Sequence, residues 1–269
     1  MQPRISIITC TFNSQDYLLD TLKSVKKQTF RNFEHIIIDA YSNDRTNEII
    51  ENYRKNNPGI RISVCKKKPK GISNAMNEGI KRSNGEIIHI LHSDDYYINN
   101  EVLKNVDSLF KKTNKMWLVG SHAFEENNKI YVRRNPLLSF MARYFLPCKC
   151  FISHPNTFVK KNFYDKYGYF REDYKIAMDY DLWLRAINHE EPFIVRKPFT
   201  VFRKHEKNIS LFANNKERKG KELRQISNNL LNKSKYRCCI YSYCLRYFFS
   251  FINLVTTRRY RGDIIKSCV

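Results

Sequence analysis

The stretch ILHSDDYY, residues 90–97, sets two carboxylates, Asp94 and Asp95, directly after an apolar run. Adjacent like charges repel and persist where a cation or water neutralises them. Oxygen-only ligands favour Mg2+ or Mn2+ over zinc, and such an ion bridges carboxylates to the phosphate oxygens of a ligand. The alternative way to hold phosphates, a glycine-rich turn, is missing: TCTFNSQDY follows the first apolar run and contains no glycine. Further on, AMDYDLWLRA carries Asp179 and Asp181. Either carboxylate suits a general base. The plainer reading has Asp179 capping a helix and Asp181 paired with Arg185, four residues on. His89 and His92 precede the acids as H-x-x-H, which suggests a metallohydrolase. On a strand, i and i+3 face opposite sides, so His89 reads as a packed strand residue and His92 as a loop residue.

The elements that must position these groups alternate. Ile5–Ile8 reads as a buried strand, followed by a helix capped by Asn13 or Ser14 and running to about Gln28. FEHIIIDA (33–40) is a second apolar run that reaches Asp39, and Asp44 opens the helix after it. IRISVC (60–65), a helix from Ser73 to near Gly85, and EIIHIL (86–91) continue the series. Strands alternating with helices of this length indicate βαβ units and a largely parallel α/β sheet. Ligands of such sheets bind outside the carboxyl ends of the strands, and Asp39, Asp94 and Asp95 all lie there.

Composition narrows the partners. A formal net charge of +22 favours anionic partners. Eight cysteines without a C-x-x-C pair support neither a zinc ribbon nor a thioredoxin-like site, and reduced thiols are expected. MQPRISIITC is too short in its apolar run for a signal peptide, so a cytoplasmic protein is expected.

Three blocks together resemble family-2 inverting glycosyltransferases of the GT-A fold, of the type found in bacterial polysaccharide and lipopolysaccharide biosynthesis. They are ISIITCTFNSQDYLLDTLKSVKKQTFRNFEHIIIDAYSNDRT (5–46), GISNAMNEGIKRSNGEIIHILHSDD (71–95), and HPNTFVKK with YGYFREDYKIAMDYDLWLRA (154–161, 167–186). The resemblance covers roughly 3–210. It implies a nucleotide-sugar donor, UDP-linked by preference, and a saccharide or lipid-linked saccharide acceptor. Thr9, Thr11 and Asn13 would line the nucleotide pocket and Asp39 would accept a hydrogen bond from the base. Asn74 and Asn77 would face the nucleotide-sugar. Asp95 would be the principal ligand of Mg2+ or Mn2+, with Asp94 on metal or ribose. Asp179 would be the base, with Asp181 the next candidate, and His205 would close over the diphosphate. DAYSND departs from the family's glycine-containing turn, placing Ala40 and Tyr41 at its centre.

This reading divides the chain into a transferase domain, 1–212, and a basic, aromatic helical extension, 213–269. CCIYSYCLRYFFSFINLVTTRRYRG (238–262) has no uninterrupted apolar stretch of spanning length. It suits a helix lying in an anionic membrane interface, on the cytoplasmic face of the inner membrane, or a subdomain packed on the core. Two other classes compete: a nucleotidyltransferase or pyrophosphorylase, which would show a glycine-rich basic loop after the first strand, and a basic nucleic-acid-binding protein, for which no recognisable module is present.

Overall fold

A computed structural model describes residues 2–133, 135, 139–147, 150–208, 215–231 and 257–260. The apolar runs become β1 (Ile5–Thr11), β2 (Phe33–Asp39), β3 (Arg61–Lys66) and β4 (Ile87–Ile90). Between them run α1 (Leu18–Lys26), α2 (Thr46–Lys55) and α3 (Ile72–Arg82). These four strands are parallel, in the order β4-β1-β2-β3. β1, β2 and β4 are buried along their whole length, because helices cover both faces of the sheet. β3 alternates exposed and half-buried residues, as suits the edge it forms. Gly79 lets α3 lie directly on β1: a Cβ there would collide with the Ile8 side chain.

The second half is less regular. It comprises β5 (Tyr96–Tyr97), α4 (Val102–Lys112), β6 (Trp117–Val119), β7 (His122–Glu126), β8 (Lys129–Arg133), α5 (Ala142–Phe145) and β9 (Thr157–Lys160). Then follow α6 (Asn162–Tyr167), α7 (Met178–Ile187), β10 (Phe193–Ile194), β11 (Thr200–Arg203), α8 (Asn215–Leu231) and β12 (Thr257–Tyr260). β9, β6 and β10 extend the first sheet, in the order β10-β6-β9-β4-β1-β2-β3, and only β9 runs antiparallel to its neighbours. A smaller sheet, β12-β8-β7-β11-β5, stands beside it. The architecture is α/β with a mixed, mostly parallel sheet.

The helix expected from Asn13 or Ser14 starts later, at Leu18. Asn13 instead takes a left-handed turn, φ 49°, and the Ser14 carbonyl accepts the Leu18 N–H. Beyond residue 212, α8 packs on the first unit: Ile226 is buried in its main core cluster and Leu223 packs against it. β12 pairs with β8. The rest of the aromatic stretch 238–262 lies outside the described residues. Among those described, no helix is long and apolar enough to cross a membrane.

Candidate active site

β4 delivers the acid pair. Its carboxyl end runs into a turn that α1 fastens: the Thr21 hydroxyl donates to the Ser93 and Asp95 carbonyls at 3.0 and 2.7 Å. The two acids then separate in role. Asp95 is 0 % exposed. Its Oδ1 accepts the Arg203 backbone N–H at 3.2 Å, while Oδ2 is buried without a partner. Burial, reinforced by the Asp94 charge, pushes the Asp95 carboxyl well above the ordinary range. Asp94 remains part-exposed. Its Oδ2 meets His205 Nε2 at 2.9 Å and accepts from Asn208 Nδ2 at 3.0 Å. Burial would lift the Asp94 carboxyl too, but the His205 hydrogen bond and the neighbouring imidazoles outweigh it and hold it below its usual value.

The His205 end is built as firmly. Asn208 Oδ1 accepts the His205 backbone N–H at 2.8 Å, closing a ring of Asp94, His205 and Asn208. Tyr17 stacks on the His205 ring at 4.4 Å, and the Arg203 guanidinium lies over both Tyr17 and Tyr96. The sequence reading singled out His205 but not Asn208 or Tyr17. Asn208 follows His205 by three residues, a spacing visible in HEKN but without meaning until the loop is folded.

At the neighbouring strand ends the expected nucleotide contacts need correction. Thr9 faces the interior: its hydroxyl meets His35 Nε2 at 2.9 Å, and His35 Nδ1 meets the Tyr53 hydroxyl. The Thr9 hydroxyl is thereby engaged inside the fold. Asp39 is wholly enclosed. It accepts from the Thr11 hydroxyl at 2.9 Å and the Ser42 backbone N–H at 3.0 Å, so Thr11 and Asp39 organise the turn and present no exposed carboxylate to a base. Asn13 is exposed, its side-chain oxygen accepting the Asn43 N–H. Phe12 and Tyr41 are 58 % and 57 % exposed, at the ends of paired strands β1 and β2. Tyr41 has φ 57°, uncommon for a residue with a Cβ.

Asp179 begins α7, following Met178, and is part-exposed. Its Oδ1 accepts the next residue's N–H, from Tyr180, at 2.7 Å. Burial raises its carboxyl to about 6, against opposing contributions from that N–H and from Lys219. Asp181 points elsewhere. One oxygen accepts from Arg171 and the other from Arg185, the i+4 residue. Arg185 also donates to the Tyr167 and Tyr169 carbonyls. Asp181 is thereby committed to an ion-paired clamp, which removes it as a base.

Asn74 and Asn77 join that clamp. Asn77 Nδ2 donates to the Phe170 carbonyl at 2.8 Å and its Oδ1 accepts the Phe170 N–H at 3.0 Å. With both ends engaged and the side chain buried, Asn77 does not face a ligand. Asn74 donates to Glu172 at 2.9 Å. Gly71, at φ 101°, precedes α3 where a Cβ would meet Lys175.

The histidines divide in the same way. His89 stacks on Phe158 at 3.8 Å and bonds the Tyr97 hydroxyl and Pro155 carbonyl; burial takes it down to about 3, so it is a neutral core residue. His154 sits 5.3 Å from His92 with both ring nitrogens buried and unpartnered. No backbone group pairs with its ring.

Metal fit follows from these contacts. Asp94 and the unpartnered Asp95 Oδ2 are oxygen donors of the right chemistry, while both ring nitrogens of His205 are already engaged. Among the described residues no three acid, histidine or cysteine groups are already arranged as a metal cage. Mg2+ and Mn2+ need none, since they bind through one or two carboxylates plus substrate phosphates and water.

Residues 6–184 match the family described as Glycosyl transferase family 2. An uncharacterized glycosyltransferase of Mycobacterium tuberculosis is 31 % identical over 199 residues, covering 72 % of this chain and 72 % of its own. Staphylococcus aureus TarS, a poly(ribitol-phosphate) beta-N-acetylglucosaminyltransferase, is 36 % identical over 104 residues, 38 % of this chain and 18 % of TarS. In three dimensions the TarS fragment 1–349 in complex with UDP-GlcNAc superposes with a TM-score of 0.68 at 24 % identity, covering 85 % of this chain and 67 % of the fragment. A Pyrobaculum calidifontis mannosyltransferase in complex with GDP-Man and Mn2+ superposes with a TM-score of 0.59 at 16 % identity, covering 77 % of this chain and 58 % of that one.

Proposed function

This protein belongs to glycosyl transferase family 2, and we propose that it transfers a sugar, with inversion, from a UDP-sugar to a hydroxyl of a saccharide or lipid-linked saccharide acceptor in bacterial surface-polymer synthesis. The observation that carries the reading is the separation of two kinds of carboxylate. Asp94 is held ionised beside His205, while Asp179 is lifted to about 6 on a different element.

Asp94 is the residue that would hold a divalent cation, with the unpartnered Asp95 Oδ2 as the second carboxylate donor. Such an ion supplies neutralisation of the departing diphosphate. His205 and Asn208 orient Asp94 for that role. The exposed rings of Phe12 and Tyr41, with Asn13 between the strand ends, form the surface on which a base can lie. UDP is favoured because the TarS structures hold UDP and UDP-GlcNAc; GDP is the second choice, from the mannosyltransferase. Asp179 takes the proton of the acceptor hydroxyl as the new bond forms. A carboxylate is too weak a base to remove it earlier, so its help falls in the transition state.

The test is a thermal-shift screen of nucleotide-sugars with Mn2+. A ligand that binds the folded chain raises Tm by mass action. UDP-sugars should raise it, and EDTA should remove most of the shift. A nucleotide shift that EDTA leaves intact overturns the metal assignment. Release of pyrophosphate rather than nucleoside diphosphate overturns the transferase reaction.

A further inference from the structure

We infer that Glu222 is a positioning residue for Asp179, so that helix α8, beyond the family-matched part of the chain, belongs to the catalytic apparatus. The inference rests on the assignment of Asp179 as base.

Glu222 projects from α8 into the segment that leads to Asp179, and only 7 % of it is exposed. Its Oε1 accepts the Lys175 backbone N–H at 2.9 Å. Its Oε2 accepts the N–H groups of Ile176 and Ala177 at 3.0 and 2.9 Å. Ala177 caps α7, and Asp179 is the second residue of that helix. Three successive N–H groups turned to one side form a concave anion site, and a carboxylate fills it. Residues 171–177 lie in neither helix nor strand, so neither can satisfy these donors.

The rest of the segment is fastened from other elements. The Ser73 hydroxyl donates to the Tyr174 carbonyl, Asn77 holds Phe170, and Arg185 holds Tyr167 and Tyr169. Glu222 supplies the last fastening before the base. Without it, the three donors lose their partner and the bend two to four residues before Asp179 is released. The same helix brings Lys219, whose charge acts on Asp179. Leu223 and Ile226 seat α8 against the core, fixing where Glu222 reaches.

The experiment uses the full chain and four proteins: parent, Glu222→Gln, Asp179→Asn and the double variant. Turnover is read as UDP release from the UDP-sugar giving the largest thermal shift. Glu222→Gln keeps the shape and one acceptor oxygen but loses the charge. It should fold, bind UDP and Mn2+ as the parent does, and lose about 10-fold in kcat; Glu222→Ala should lose about 10²-fold, the scale expected when a reacting group is displaced by about 1 Å. In the Asp179→Asn background Glu222→Gln should cost almost nothing more, because groups acting as a unit are not additive. A purely structural glutamate would keep its full cost there, and that result overturns the inference. So does unchanged kcat in both Glu222 variants, or a loss seen only as weaker UDP binding. If Asp179→Asn itself turns over normally, the assignment of the base is what has failed, and the role given to Glu222 fails with it. Should Glu222→Ala not fold, Glu222→Gln still decides.

Discussion

The acid pair at the end of β4 and the base segment before α7 solve the placing of a carboxylate in opposite ways. Asp94 and Asp95 lie in the turn that follows buried β4, and the Thr21 hydroxyl of α1 fastens that turn. Their partners are Arg203, the last residue of β11 in the second sheet, and His205, in the loop after it. The Asp179 segment has no strand beneath it. Residues 168–177, between α6 and α7, are irregular chain, held by α3 through Asn77, by α7 through Arg185, and by α8 through Glu222. One site follows directly on a paired strand and needs one side chain, Thr21, to fasten its turn; the other hangs on several side chains tied to backbone. The second kind is more easily loosened by a single substitution.

The comparison is tested most strongly at Asp179. Asp179→Asn preserves shape and should still bind nucleotide and Mn2+, while turnover falls at least ~10²-fold, the usual worth of a general base. The parent's kcat/KM should fall about tenfold per pH unit below about 6, because protonated Asp179 cannot accept a proton. Asp179→Asn should lack that limb. Near-normal turnover would remove the base from this segment.

At the strand end the effect should appear in binding. Asp94→Ala should weaken Mn2+-dependent UDP affinity on the order of 10²-fold, about 3 kcal/mol. Titration with and without EDTA measures it. Equal loss in both conditions would mean that Asp94 shapes the turn and does not hold a metal.

The clamp offers the intermediate case. Asp181→Asn leaves Arg185 and Arg171 facing a neutral amide. Bonds to charged groups contribute about 1.5–3 kcal/mol, and Arg171 is half solvent-exposed, so about 2 kcal/mol of stability should go. Chemical denaturation should show it, with UDP affinity unchanged. Loss of UDP affinity would join the two regions into one unit.

What was legible in the sequence follows the same division. The parallel strands could be read because β1, β2 and β4 are continuous apolar runs and β3 alternates, and the end of β4 placed Asp94 and Asp95. The Asp181–Arg185 pair could be read because helix spacing fixes it. Thr9 was misplaced because strand alternation decides which face a residue takes, and β1 is buried on both, so the pattern carried no sign. Asn77 was misplaced because its partner, Phe170, lies 93 residues away. Glu222 was invisible for the same reason: an acid in a basic helix, KERKGKELRQ, reads as an i,i+4 partner for Arg218, which stands 3.9 Å away.

The smallest expected effect belongs to Tyr41, at the end of β2. Its φ of 57° costs a residue with a Cβ something that glycine does not pay. Its ring is 57 % exposed, so packing does not explain the position. Strain kept at an exposed aromatic beside a binding edge points to the ring's use with a ligand. Tyr41→Gly relieves the backbone but frees the unfolded chain, two effects of about 1 kcal/mol with opposite sign, so Tm should move by no more than a few degrees. UDP affinity should fall by about 3- to 10-fold if the base stacks on the ring, an aromatic contact of about 0.5–1.5 kcal/mol. Tyr41→Phe should restore it, since stacking needs the ring and not the hydroxyl. Unchanged UDP affinity in Tyr41→Gly would leave Phe12 as the base-facing ring and return Tyr41 to the turn alone.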